Sequence, residues 1–105
     1  MANTTVNWEK DWVLTYDLDH AEGITKDDIV NASDKIFKKS FSVDKNSYEL
    51  PSTVLWAKRD TFADAEAVKT AFYHVFDEVK GSNKSKIKRL IICDYANDQI
   101  YIENN

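Results

Sequence analysis

The sequence is poor in the residues on which several classes of site depend. It contains one cysteine, Cys93, and two histidines, so it has no internal disulfide and no thiolate cluster for a structural zinc ion. It also contains only two glycines, and both lie at junctions between predicted elements, so no glycine-rich phosphate loop is present. These absences argue against a zinc protein and against an enzyme built on a phosphate-cradling loop.

Long apolar runs are absent as well. No stretch approaches the roughly 18 apolar residues of a membrane-spanning helix, and MANTTVNWEKD has neither the basic nor the apolar region of a signal peptide. The 105 residues are 43% hydrophobic and 30% charged, which is typical of one globular domain. We therefore predict a cytoplasmic protein with a single domain over residues 11–105, preceded by a flexible segment over residues 1–10.

The charge of the chain is unevenly distributed. The net charge of −4 argues against a protein that coats nucleic acid by bulk attraction. Residues 80–89, KGSNKSKIKR, nevertheless hold four lysines and one arginine with no acid. Two interpretations remain open for this segment: a solvated turn, and a local patch that attracts phosphate groups.

Hydrophobic periodicity and turn residues predict the order of elements. A capping-box pattern, Thr25 with Asp28, marks the start of the first helix. The first four predicted elements are a strand over 12–19, a helix over about 26–40, an edge strand over 41–51 that is interrupted by a turn, and a strand over 52–58. A helix within 59–81, a strand over 86–95 and a short strand over 99–103 follow.

This order is the split βαβ pattern of ferredoxin-like domains. It predicts an α+β fold, βαββαβ, with an antiparallel sheet ordered 4-1-3-2, both helices on one face and a short C-terminal fifth strand. One face of such a sheet is uncovered, and residues 90–93, LIIC, are apolar on both sides of a strand. We therefore predict a homodimer formed through the open sheet face.

Several candidate site residues gather at one rim of the predicted sheet. Strands three and four run antiparallel to strand one, so their beginnings lie beside its end. The residues expected at this rim are Asp17, Asp19, Ser52, Thr53, Lys84, Lys86 and Lys88. Two carboxylates two positions apart on a strand lie roughly 7 Å apart, which suits Mg²⁺ or Mn²⁺ together with a substrate phosphate. The alternative is that both acids meet solvent or pair with nearby lysines.

Three segments carry a resemblance to a known family. They are VLTYDLD before the first predicted helix, LPSTVLWAK between the two helices and LIICD after the second. Over residues 11–95 the chain resembles the small ferredoxin-fold proteins related to the second CRISPR-associated protein and to antitoxin-type endoribonucleases. The resemblance implies that Asp17 faces its counterpart across a homodimer at a metal-dependent nuclease site. It also implies that the C-terminal strand, QIYIE, joins the partner's sheet.

Two hypotheses follow for function. The first is a homodimeric, metal-dependent endoribonuclease that acts on RNA, with Asp17 catalytic, Asp17 and Asp19 as metal ligands, and Ser52, Thr53, Lys84, Lys86 and Lys88 as substrate contacts. The second is a non-catalytic protein–protein interaction module, because the chain is acidic and carries no dense catalytic constellation.

Overall fold

The structure is a computed structural model, and it describes residues 2–7, 11–19, 23–43, 45–82, 84–95 and 99–104. In chain order its elements are β1 (Ala2–Asn7), β2 (Asp11–Asp19), α1 (Lys26–Ala32), β3 (Ser40–Val43), β4 (Asn46–Glu49), β5 (Val54–Lys58), a 3₁₀ turn (Arg59–Thr61), α2 (Ala65–Lys80), β6 (Lys86–Tyr95) and β7 (Gln99–Asn104). None of the helices in these residues is long and apolar enough to cross a membrane.

Strand β2 is the centre of a three-stranded antiparallel sheet. It pairs with β5 on one side and with β6 on the other, which gives the order β5-β2-β6. These three strands are the predicted third, first and fourth strands, and they lie in the predicted relative order. The prediction of an α+β domain with two helices and antiparallel sheets is therefore confirmed.

The predicted second strand does not join this sheet as a strand. Its segment forms a separate hairpin, in which β3 pairs with β4, because Lys45 adopts a left-handed φ of 69° in the turn. Just before the hairpin, Lys38 forms an isolated bridge with β5: Lys38 N donates to Trp56 O at 2.8 Å and Trp56 N donates to Lys38 O at 2.9 Å. The full ferredoxin-like order is thus not confirmed, since β3 and β4 satisfy each other's backbone groups.

Helix α1 is shorter than the predicted helix over 26–40. Its start is as predicted, since Thr25 and Asp28 form a reciprocal capping box. It ends at Ala32 because Asp34 and Lys35 adopt left-handed φ values of 53° and 67°, and these stop a right-handed helix. The turn is held by Ser33, whose Oγ accepts a hydrogen bond from Phe37 N.

Both helices cover the same face of the sheet. Alternate residues of β2 (Trp12, Leu14 and Tyr16) and of β5 (Leu55 and Ala57) are buried there, together with Ile29 of α1, Phe37, and Val68, Phe72 and Val75 of α2. The ring of Phe72 makes an edge contact with that of Phe37 at 5.7 Å. The intervening residues of β2 and β5 therefore lie on the opposite face, which we call the open face.

The two ends of the chain form a second antiparallel pair. Ala2–Asn7 pairs with Gln99–Asn104, where no strand is predicted for residues 1–10, and residues 1 and 8–10 lie outside the described part. The residue numbers of each pair in this ladder, such as Ala2 and Asn104, have the same sum as those of the β2–β6 pairs from Asp11 with Tyr95 to Asp17 with Arg89. The terminal strands therefore keep the register of the central pair. Strand β7 contains QIYIE, which the resemblance places in the partner's sheet, and it pairs here with β1 of its own chain.

A β-bulge interrupts the ladder of β2 and β6 near the start of β6. Asp17 pairs with Arg89, whereas Leu18 pairs with Ile87, so Lys88 is the extra residue. Ile87 and Leu90 both pack on the core although they are three positions apart. A regular strand would place them on opposite faces, and the bulge removes that conflict. It also brings Asp19 opposite Lys86.

We expect deletion of Lys88 to be tolerated. The deletion removes the extra residue, so that the pair of Asp17 with Arg89 is followed directly by the pair of Leu18 with Ile87, as in a regular ladder. The free energy of unfolding, measured by urea titration, should therefore change by less than about 1 kcal/mol. Deletion of Ile91 is the control, because it shifts one side of β6 by one residue and turns its apolar side chains to the wrong face. A loss of more than about 3 kcal/mol on deletion of Lys88 would contradict the assigned bulge.

Candidate nucleic-acid interface

Asp17 and Asp19 both face basic residues of β6. Asp17 lies opposite Arg89 in the ladder, with Arg89 Nη1 3.8 Å from Asp17 Oδ2, and Asp19 lies opposite Lys86. The side chains of Asp17 and Arg89 are 57% and 71% exposed. An ion pair this exposed contributes roughly 1 kcal/mol or less to stability. The acidic and basic side chains are therefore adjacent at this end of the sheet, but the pair between Asp17 and Arg89 is weak.

Asp17 also lines a groove of about 590 Å³, which we call the Asp17 groove. Ser52 and Thr53 line the same groove, because the Tyr16 amide donates to the Thr53 carbonyl at 3.1 Å and ties the end of β2 to the turn before β5. The structure thus brings Asp17, Ser52 and Thr53 together, as the strand order predicts.

A largely buried lysine side chain, that of Lys26, forms one wall of the Asp17 groove. Only 10% of the Lys26 side chain is exposed, and its Nζ lies 3.6 Å from Glu49 Oε1. The same ammonium donates to the carbonyl oxygens of Leu50 and Pro51. These contacts tie the start of α1 to the chain after β4, and sequence reasoning did not identify them. The only signal was a lysine in the first turn of a helix, where cations are not usually favoured.

Tyr16 forms part of the same groove from the core side. Burial raises the pKa of its phenol to about 12, because an ionised phenolate is poorly solvated there. The phenol is therefore protonated at neutral pH, and it can donate a hydrogen bond but does not act as a base.

The two aspartates fit a divalent cation poorly by themselves. Each already lies opposite a cationic side chain of β6, and a metal ion would have to compete with those charges. Within the described residues, no group of three histidine, cysteine or carboxylate side chains is placed to hold a metal ion. The donor set is thus two carboxylates, and Mg²⁺ or Mn²⁺ would have to take its remaining ligands from water and substrate.

A second groove, of about 570 Å³, lies between the end of α2 and the start of β6. We call it the lysine groove. Lys80, Lys84 and Lys86 line it together with Tyr73, Phe76, Asp77, Ser85 and Ile87. Gly81, with a φ of 50°, ends the helix and lets the chain turn back along it.

The lysine groove carries more positive than negative charge, since its lining holds Lys80, Lys84 and Lys86 but only one carboxylate, Asp77. Lys86 also lies opposite Asp19 in the ladder. Lys88 and Arg89 are exposed at the bulge beside them. Lys84 and Lys86 therefore share one groove, whereas Lys88 is the extra residue of the adjoining bulge and does not line it.

Tyr73 and Asp77 are groove residues that sequence reasoning missed, whereas Lys80 belongs to the basic segment over residues 80–89. Tyr73 and Lys80 lie on the same side of α2 as Asp77, at spacings of four and three residues. The spacing of these residues is evident in the sequence. It points to a site only in the tertiary structure, where the end of α2 lies against the start of β6.

Comparison of the chain with protein-family models, with curated proteins and with solved structures returned no match. The resemblance to CRISPR-associated and antitoxin-type proteins therefore stays a prediction.

Proposed function

We propose that this protein binds RNA through a basic surface made of the lysine groove and the adjoining bulge. The observation that carries the proposal is the convergence of Lys80, Lys84, Lys86, Lys88 and Arg89 at one end of the sheet. Exposed ammonium and guanidinium groups at close spacing are the usual ligands of a phosphate backbone.

The acidic remainder of the chain supports a confined interface. The net charge is −4 although this one surface is basic, so the rest of the molecule repels a polyanion. Asp17 and Asp19 mark the boundary, since each faces a base of β6. Binding is therefore expected at one end of the sheet, and to be sensitive to salt.

Removal of two groove lysines should weaken RNA binding. For the double variant Lys84→Ala and Lys86→Ala, we expect an affinity loss of about tenfold or more at low salt and a smaller slope of log affinity against log salt, by about 1.4 for a single strand. Fluorescence anisotropy with labelled RNA and DNA at several salt concentrations measures both quantities.

The matched control is the double variant Lys35→Asn and Lys69→Ala, which removes the same charge from exposed positions in the turn after α1 and on α2. Asparagine tolerates the left-handed φ of 67° at position 35. Equal losses in the two double variants would show that only total charge matters. Absence of RNA binding by the unchanged protein would overturn the proposal and favour a protein partner.

A metal-dependent endoribonuclease is the second candidate. It is favoured by the position of Asp17, which shares a groove with Ser52 and Thr53 and lies opposite Arg89 of the basic surface. A carboxylate beside a phosphate-binding surface is the arrangement that such a reaction needs.

We expect Asp17→Asn to abolish any Mg²⁺- or Mn²⁺-dependent cleavage of RNA. The variant should remain folded within about 1 kcal/mol, because the pair with Arg89 is exposed. The assay compares metal with chelator on single-stranded and double-stranded RNA, and Asp34→Asn, at an exposed turn position that tolerates asparagine, is the control. Cleavage that persists in Asp17→Asn would reject the nuclease.

We further propose a homodimer formed through the open face. Ile91, on this face, is 57% exposed, and it lies beside Cys93, which is also exposed. Trp56, on the same face, keeps its indole Nε1 bonded to Ser40 O at 2.7 Å. Each end of the face carries an acid and a base in register, Asp11 with Lys58 and Asp17 with Arg89. A twofold-related copy therefore meets balanced charge.

Replacement of Ile91 by glutamate should dissociate this dimer, because a buried unpaired carboxylate would lie at the centre of the interface. Analytical ultracentrifugation measures the mass. The control is Ile36→Glu, which alters another exposed isoleucine, 40% exposed, in the turn after α1. A monomeric unchanged protein, or a dimer that survives Ile91→Glu, would contradict the interface.

The ferredoxin-like strand order, the family and the cytoplasmic location are also proposals. The order β5-β2-β6 supports a ferredoxin-like arrangement, with the bridge between Lys38 and Trp56 at the place of its missing strand. Membership of the CRISPR-associated or antitoxin-type group and a cytoplasmic location remain predictions of the sequence.

A further inference from the structure

The lysine groove contains an aromatic ring that the binding of phosphates does not explain. Tyr73 lines the groove and is 38% exposed, although it is one of the larger hydrophobic residues of the chain. Phe76, also a lining residue, is almost fully buried. An exposed tyrosine ring on a packed helix is a rigid, flat surface, suited to stacking with another flat group.

The same groove presents a hydrogen-bond acceptor among its cations. Asp77 is one helical turn after Tyr73, and Lys80 follows three residues later, so the three share one side of α2. Lys84 and Lys86 form the opposite wall. An ionised carboxylate accepts hydrogen bonds and does not donate them, so a ligand that is only phosphate would leave Asp77 with a repulsive neighbour.

The dimensions of the groove agree with a ligand of nucleotide size. Its volume of about 570 Å³ lies within the range of about 300–1,000 Å³ that small-ligand sites occupy. A base can reach the ring of Tyr73 only when it is unpaired, because the bases of a duplex are stacked on each other and present only their edges.

We propose that the lysine groove binds one unpaired nucleotide of single-stranded RNA, with its base stacked on Tyr73, a ribose hydroxyl donating to Asp77, and the flanking phosphates bound by Lys80, Lys84 and Lys86. This inference rests on the RNA binding proposed above and specifies the form of RNA. Stacking contributes affinity without charge, whereas the lysines contribute the salt-dependent part.

The test compares Tyr73→Leu with Tyr73→Phe on single-stranded and double-stranded RNA of one sequence. Leucine keeps the helix but removes the ring, so single-strand affinity should fall about tenfold with no change in salt slope or in duplex affinity. Phenylalanine keeps the ring and should bind as the unchanged protein does.

A second measurement uses an RNA strand that contains 2-aminopurine. Its fluorescence should be quenched on binding to the unchanged protein but not on binding to Tyr73→Leu. Circular dichroism confirms that each variant is folded.

The two proposals fail in different ways. If the Lys84 and Lys86 double variant loses binding while Tyr73→Leu binds single strands as well as before, the basic surface stands and the nucleotide site is wrong. If neither change affects binding, the proposed RNA interface itself is wrong. Equal loss on single strands and duplex with Tyr73→Leu would also overturn the nucleotide site, because stacking requires an unpaired base.

Discussion

The pairing of β2 with β6 is the constraint on which the rest of the structure depends. It is the longest ladder of the sheet, and it decides which side chains of both strands meet the helices. Its register also continues in the pairing of β1 with β7. Because side chains alternate along a strand, one register places Leu14 in the core and leaves Thr15 and Ile91 on the open face.

The bulge at Lys88 adapts this ladder to a sequence that changes its period. On the C-terminal side of the bulge, Leu90 and Ile92 pack against the core, and on its N-terminal side Ile87 does so. The extra residue allows both halves to bury their apolar side chains and places Lys86 opposite Asp19. Charge pairing and core packing thus favour the same register, which is the consistency expected of a well-specified fold.

Two grooves of similar volume result from this geometry, one on each side of the end of β2. The Asp17 groove is lined by Asp17, Ser52 and Thr53 and closed by Lys26, whose charge already has Glu49 as a partner. The lysine groove is lined by three lysines and by one carboxylate, Asp77, so positive charge is in excess there. This asymmetry gives an acidic protein one locally basic surface, so net charge alone does not describe the charge that a ligand meets at each groove.

Local patterns in the sequence determined the central strands, α2 and the start of α1, because alternation, helical periodicity and capping act between residues that are close in the chain. They also placed Asp17 with Ser52 and Thr53, since antiparallel topology alone brings those strand ends together. Tertiary structure decided the rest. The left-handed residues Asp34 and Lys35 ended α1 early, and the hairpin of β3 with β4 replaced a sheet strand. Strand β1 needed a partner almost a hundred residues away in the chain. The position of Tyr73 beside Lys84 likewise depends on how α2 packs against β6, which no local pattern encodes.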